Sequence, residues 1–474
     1  MALSERRGGG ALAESLYAAA AALWDLPAPL VDMAEAAERL TAERRAFWRD
    51  RADRAFLRVL RAFQKAGVTE THLAGSTGYG YGDVGREALD AIFAEVFGAE
   101  AGLVRAQIVS GTHALSLCLR AAVGPGGVLV SGTGPPYDTL RPQVEELKDF
   151  GARYLEVSLD RSGRADPEGV AAAVGEAAIV ARAGTGTPGR REGRASGADG
   201  RGRVCLFLQR SCGYEPVPSR EIALLGTIIA RSREEATAAG AELVTVVDNC
   251  YGEFVEEVEP STAGADLVAG SLIKNPGGGL APTGGYVVGR ADLVARAAEF
   301  LTAPGLGGKV GPTLGLGRLL YQGLFLAPRA VGAALAGATF AAAFLDSLGL
   351  NVSPKWHEDR TDIIQSVHLG SREAVLTFAR GIQAAAPVDS AARPEPAGLP
   401  GYDDEVVMAA GTFVQGASIE LSLDAPLRAP YVAYLQGGLY EAHLKVATVL
   451  AAGELWRAGH LGLAAPHRPE PPGR

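Results

Sequence analysis

Between residues 103 and 289, short and almost wholly apolar runs alternate with stretches of helical periodicity, and no other feature restricts the fold as much. The runs lie at 103–109, 127–131, 152–157, 177–181, 203–208 and 243–247, with further ones near 266–271 and 284–289. Helices fit between several of them, at 112–122, 138–149 and 219–239. A strand that is apolar on both faces has to be covered on both, and strands separated by helices pair in parallel. The expected fold is α/β, built on a mostly parallel sheet. Beyond residue 310 a long Ala/Gly/Leu-rich helical region precedes strands near 363–369, 407–413 and 417–423 and a last helix at about 431–452. This order predicts an N-terminal helical segment (1–70), a large α/β domain (71–310), and a helical connection to a smaller α+β domain (311–474).

The rest of the chain adds detail to this frame. Residues 32–66 read as one long helix whose arginines, mixed with Glu43, Asp50 and Asp53, form a solvated face. A glycine-rich loop at 75–85 precedes a helix with Leu89, Ile92, Phe93, Val96 and Phe97 on one stripe, and Asp83 is placed to cap it. Residues 182–203 hold almost no large apolar side chains and many Gly and Arg, which predicts a flexible surface insertion between two strands. Four cysteines in 474 residues are no disulfide framework and suit a reducing compartment. The net charge of −9 argues against a general nucleic-acid binder. The apolar stretch Ala330 to Leu345 is short of the ~20 residues a bilayer needs, so a buried helix is expected and no membrane partner. Arg6 and Arg7 precede the apolar run Leu16 to Trp24, but Glu14 and Asp25 flank it and no small-residue cleavage site follows. The expected compartment is the cytoplasm, with an organellar leader left open.

Two motifs fail on context. Gly80-Tyr-Gly82-Asp-Val-Gly85 matches the dinucleotide-binding expression without the strand that must precede it, and Gly305 to Val310 lacks the spacing and the Ser/Thr of a P-loop. There is no C-x-x-C and no H-E-x-x-H, so no zinc site is expected.

Three elements carry chemistry. Asp248 ends one apolar run, where open α/β sheets make their ligand contacts, and Lys274 follows another, with Ser271 before it and the glycines 277–279 after it. Burial would lower the lysine's pKa and leave an amine suited to Schiff-base chemistry, while a carboxylate complements a pyridinium nitrogen. Spacing alone equally allows a turn aspartate and a surface lysine. The third element is Ser110-Gly111-Thr112-His113, which opens a helix; its backbone N–H groups suit a phosphate, although Ser110 also reads as a plain N-cap. Tyr137, after another strand end, is placed to stack on a planar ring, and His113 reads as either a packing or a site residue.

The blocks GSTGYGYGDVGREALDAIFAEVFGAE, QIVSGTHALSL, PPYDTL, VVDNCYGEFVEEVEP, GADLVAGSLIKNPGGGLAPTGGY, RTDIIQ and AAGTFVQGASIELS resemble the methionine gamma-lyase-like family, also called aluminium resistance proteins. The likeness runs from about residue 60 to 452. It implies the fold-type-I architecture and a pyridoxal 5'-phosphate-dependent carbon–sulfur lyase acting by β- or γ-elimination on a sulfur-containing amino acid such as methionine, cystathionine or cysteine. It implies Lys274 as the lysine that carries the cofactor, Asp248 as partner of the ring nitrogen, and Tyr137 as the stacking and second catalytic residue. Gly111, Thr112 and Ser271, with Ser110 beside them, would hold the phosphate. Tyr79 or Tyr81, and Arg86, match positions that relatives lend to a neighbouring subunit, which implies a homo-oligomer, dimer or tetramer, with shared sites. Arg428 and Arg360 are the candidates for the substrate carboxylate. One departure is Gln209-Arg-Ser-Cys212-Gly-Tyr214, where the family usually has an arginine in place of Cys212. An aminotransferase on the same fold, or a stress-related cofactor-binding protein with little catalysis, stays open at this point.

Overall fold

In the computed structural model, which describes residues 15–124, 126–183, 202–398, 402 and 404–462, the apolar runs form a seven-stranded sheet. Three helices lead in: α1 (Leu16–Trp24), α2 (Ala28–Leu40) and α3 (Ala42–Lys65). Then come α4 (Val84–Phe97), β1 (Ala101–Arg105), α5 (Gly111–Val123), β2 (Val128–Ser131), α6 (Arg141–Asp149) and β3 (Arg153–Glu156). The sheet is completed through α7 (Pro167–Ala183), β4 (Arg203–Gln209), α8 (Ile222–Ala238), β5 (Glu242–Asp248), β6 (Leu267–Ser271) and β7 (Gly285–Gly289).

Strand order is β1-β7-β6-β5-β4-β2-β3. From β6 to β3 every pairing is parallel, and β7 runs against both of its neighbours. Alternation along β4 shows why its run is apolar throughout. Val204, Leu206 and Leu208 join the core shared with α7 and α8, whereas Cys205 and Phe207 join the core on the α5 side. Two buried faces favour apolar side chains from Val204 to Leu208.

After α9 (Ala291–Leu301), the 31-residue α10 (Gly317–Ser347) runs through two cores: Leu320 to Ala336 pack with the large sheet, and Ala338 to Leu345 with a second sheet. By length and composition α10 is the one helix among the described residues able to cross a membrane, but 78% of its most apolar window is buried inside the protein. The second sheet contains β8 (Asn351–Ser353), β9 (Ile364–His368), β10 (Ala397–Gly398), β11 (Glu405–Ala409), β12 (Ser422–Pro426) and β13 (Val432–Gln436). It is antiparallel in the order β10-β11-β12-β13-β9-β8, and α11 (Arg372–Ala384) and α12 (Glu441–Arg457) pack against it.

Several sequence expectations differ from this structure; the strand expected near 417–423 forms at Ser422–Pro426, and the one expected at 103–109 is Ala101–Arg105. The run 177–181 is not a strand but part of α7, where Val170, Val174, Ala177, Ala178 and Ala181 fall on one buried helical face. The last helix does not begin at 431; β13 occupies 432–436 and α12 starts at Glu441. The long N-terminal helix is two helices, divided at Thr41, whose Oγ1 donates to the Ala37 carbonyl at 2.8 Å. Of the expected insertion at 182–203, residues 184–201 lie outside the described residues, as does the segment with Arg6 and Arg7.

Candidate active site

The carboxyl ends of β1, β2, β4, β5 and β6 point to one edge of the sheet, and a cavity of about 280 Å³ opens there. It is lined by Ser110, Gly111, Thr112, Tyr137, Asp248, Ser271 and Lys274, delivered by strand ends, by the loops after them and by the first turn of α5.

Helix α5 begins at the cavity wall. Ser110 caps it, accepting from the His113 N–H at 3.1 Å, and the first N–H groups of the helix have no intrahelical acceptor. A Cβ at Gly111 would lie 3.0 Å from Cys250 Sγ and 3.6 Å from Ser271 Cβ, so close packing keeps side chains away from this anion-ready end. Tyr137 is fixed at both ends: its N–H donates to Gln209 Oε1 at 3.1 Å and its hydroxyl to Thr112 Oγ1 at 2.9 Å. His113 is not among the lining residues; its Nδ1 accepts from the Val109 N–H at 3.3 Å.

Asp248 is buried at the end of β5, where Oδ1 accepts from the Cys250 N–H at 3.0 Å. Burial pushes its carboxyl above the usual range, and the charge of Lys274 pulls against that. Tyr251 closes the turn Asp248-Asn249-Cys250-Tyr251 with φ +72°, a left-handed conformation that a tyrosine holds only under constraint. Its ring centroid lies 3.8 Å from Lys274 Nζ. Burial acts to lower the Lys274 pKa, but Cys250, Tyr251 and Asp248 outweigh it and hold the amine above its usual range. The expectation that burial would depress this lysine is not met: the pull of its neighbours exceeds the effect of burial.

The remaining expected site residues lie elsewhere. Tyr79 and Tyr81 are 73% and 64% exposed, with ring centroids 5.7 Å apart, and neither lines the cavity. Arg86 is buried beneath their turn and donates to the carbonyls of Gly80 (2.7 Å), Gly311 (2.9 Å) and Lys309 (3.2 Å). Arg360 is buried in the second sheet region, bonded to Gln365 and to the carbonyls of Ile364 and Ala338. Arg428 stands one residue away from the cavity, paired with Glu215 at 2.8 Å and Asp404 at 3.1 Å, and of these Glu215 lines it. Sequence reasoning missed Arg141, Cys250, Tyr251, Tyr214 and Tyr402, all on the cavity wall. Tyr251 carried a signal, since it sits between a strand-end aspartate and Gly252; Tyr402 carried none.

A mostly parallel sheet with a lysine, a carboxylate, an aromatic ring and a helix N-terminus around one cavity defines an α/β enzyme of the fold-type-I architecture. The family model for methionine gamma-lyase matches residues 30–185 and 200–455. An uncharacterized protein of Bacillus subtilis, YnbB, is 47% identical over 406 residues, covering 84% of this chain and 90% of that protein. The crystal structure of a carbon–sulfur lyase involved in aluminum resistance from Clostridium novyi NT is 38% identical, with a TM-score of 0.81 over 92% of this chain and 98% of that one. A pyridoxal-5'-phosphate dependent protein of Escherichia coli, YhfS, shares the fold at 17% identity, with a TM-score of 0.55 over 85% of this chain and 95% of that one. The chain belongs to the methionine gamma-lyase family, and its class is that of the carbon–sulfur lyases.

Proposed function

We propose that this protein cleaves a sulfur-containing amino acid such as methionine, cystathionine or cysteine by β- or γ-elimination, using pyridoxal 5'-phosphate bound in the cavity at the sheet edge. The observation that carries the reading is the convergence of Lys274, Asp248, Tyr137 and the start of α5 on one cavity. This donor set fits the cofactor. The α5 N-terminus with the hydroxyls of Ser110, Thr112 and Ser271 suits a phosphate, buried Asp248 suits a protonated ring nitrogen, and Tyr137 suits a planar ring. When bound, the cofactor supplies an electron sink for the substrate's α-carbon. Lys274 Nζ is the group to move the α-proton, and Asp248 holds a proton at the ring nitrogen. Tyr251, packed against Nζ, limits where the amine can swing.

Its neighbours raise the pKa of the Lys274 amine, and the neutral amine is the form that a cofactor aldehyde would require. The rate at which cofactor-free protein takes up pyridoxal phosphate is therefore expected to rise with pH over roughly 6 to 9, followed by the absorbance of the bound cofactor; a flat profile would contradict this.

For the substrate carboxylate, Arg141 is the described cation other than Lys274 on the cavity wall, held at 3.2 Å from Asp138, whereas Arg428 acts from behind Glu215. Arg141→Ala is expected to raise KM about tenfold or more with a smaller change in kcat, and Arg428→Ala to raise it less. The reverse order would assign the carboxylate to Arg428. Exposed Tyr79 and Tyr81, with Arg86 bracing their turn, are read as groups offered to the cavity of a second copy. Cytoplasmic residence is supported by four buried cysteines that are all free thiols.

A further inference from the structure

We infer that Glu253, as an uncharged carboxylic acid, is a positioning residue that locks the turn carrying Lys274 to the strand ends carrying Asp248 and Ser271. Glu253 is fully buried just beyond the Asp248 turn. Its Oε1 accepts from the Tyr286 hydroxyl on β7 at 2.9 Å, and its backbone carbonyl accepts from Asn275 Nδ2, on the residue after Lys274, at 3.0 Å. The same Oε1 lies so close to β6 that a Cβ at Gly270, the residue before Ser271, would stand 2.5 Å from it. One residue thus touches β6, β7 and the lysine turn together.

The second oxygen, Oε2, is buried without a hydrogen-bond partner, and so is Asn275 Oδ1 on the side chain already bonded to Glu253. An ionised carboxylate with a bare oxygen there loses its solvation and has no ion pair with a cation among the described residues, whereas a neutral acid costs far less to bury. The titratable groups around it are Tyr286 from β7, Cys250 and Glu259 from the segment between β5 and β6, and Lys274. Arg210 is directed instead to Asn249, the Gly252 carbonyl and Glu256. Burial, helped by Glu259, pushes the Glu253 carboxyl up to about 8 against the pull of Tyr286 and Lys274.

Stability is linked to this proton. The unfolded chain releases it near 4.5 and the folded chain keeps it to about 8, so the stabilising contribution is whole below the first value and gone above the second. The test compares Glu253→Gln and Glu253→Leu with the parent protein. Glu253→Gln, a neutral isostere, is expected to keep turnover at pH 7 within about threefold. Its Tm, measured on cofactor-free protein, is expected to gain on the parent's as pH rises from about 5 to about 9. Glu253→Leu, which loses the Tyr286 contact, is expected to cut turnover by about tenfold or more and to bind cofactor more weakly. A Tm difference independent of pH, a Gln variant as impaired as the Leu variant, or a Gln variant that does not fold would each overturn the proposal. The inference rests on the lyase reading only in naming Lys274 as the reactive group. A parent protein that melts as described but cleaves no sulfur amino acid would sink that reading and leave the neutral joint standing.

Discussion

Lys274→Ala is expected to abolish measurable lyase turnover, a loss of at least about 10³-fold, and to remove the visible absorbance of covalently held pyridoxal phosphate. Among the described residues no other lysine lines the cavity, so none there can take its place in holding the cofactor. The Arg141 guanidinium is not a Schiff-base amine, and the Cys250 thiol and the Tyr251 hydroxyl are both pushed upward by burial. The two readouts separate binding from chemistry, because the α5 N-terminus and Asp248 are untouched by the substitution. Retained turnover would contradict the assignment of Lys274.

Asp248→Asn is expected to lower kcat by about 10²–10³-fold while leaving the fold intact. The amide still offers an oxygen to the Cys250 N–H, so the turn is kept, but the charge facing the ring nitrogen is lost. The change has a second consequence. Asp248 is one of the groups that hold the Lys274 amine protonated, so the variant should take up cofactor faster than the parent at neutral pH. Faster uptake together with slower turnover distinguishes loss of the ring partner from general damage. Full activity in Asp248→Asn would remove Asp248 from the chemistry.

How much of this was legible in the sequence depended on how local each signal was. Strands β2, β4 and β5 were readable because both faces are buried and the runs are almost wholly apolar. The same rule misread 177–181, since a short apolar run does not distinguish a strand from the buried side of a helix. The direction of β7 was hidden, because it depends on how residues 272–284 route the chain rather than on the strand itself. At the site, Asp248, Lys274 and the start of α5 stood out as strand-end and helix-start chemistry. The arginines did not, because the reach of a long side chain is set by tertiary contacts: Arg360 turns to carbonyls in its own region, Arg428 to Glu215 and Asp404, and Arg141 reaches the wall. The charge of Lys274 was misjudged for the same reason, since its acidic neighbours come from other parts of the chain.

The central claim is carbon–sulfur bond cleavage, and product analysis tests it most directly. Purified holoenzyme is incubated separately with cysteine, cystine, cystathionine, methionine and homocysteine, and the keto acid, ammonia and thiol are identified. Release of ammonia and a sulfur product with pyruvate, for β-elimination, or with 2-oxobutyrate, for γ-elimination, is the expected result. Formation of glutamate when 2-oxoglutarate is supplied, with the carbon–sulfur bond intact, would identify an aminotransferase and contradict the account.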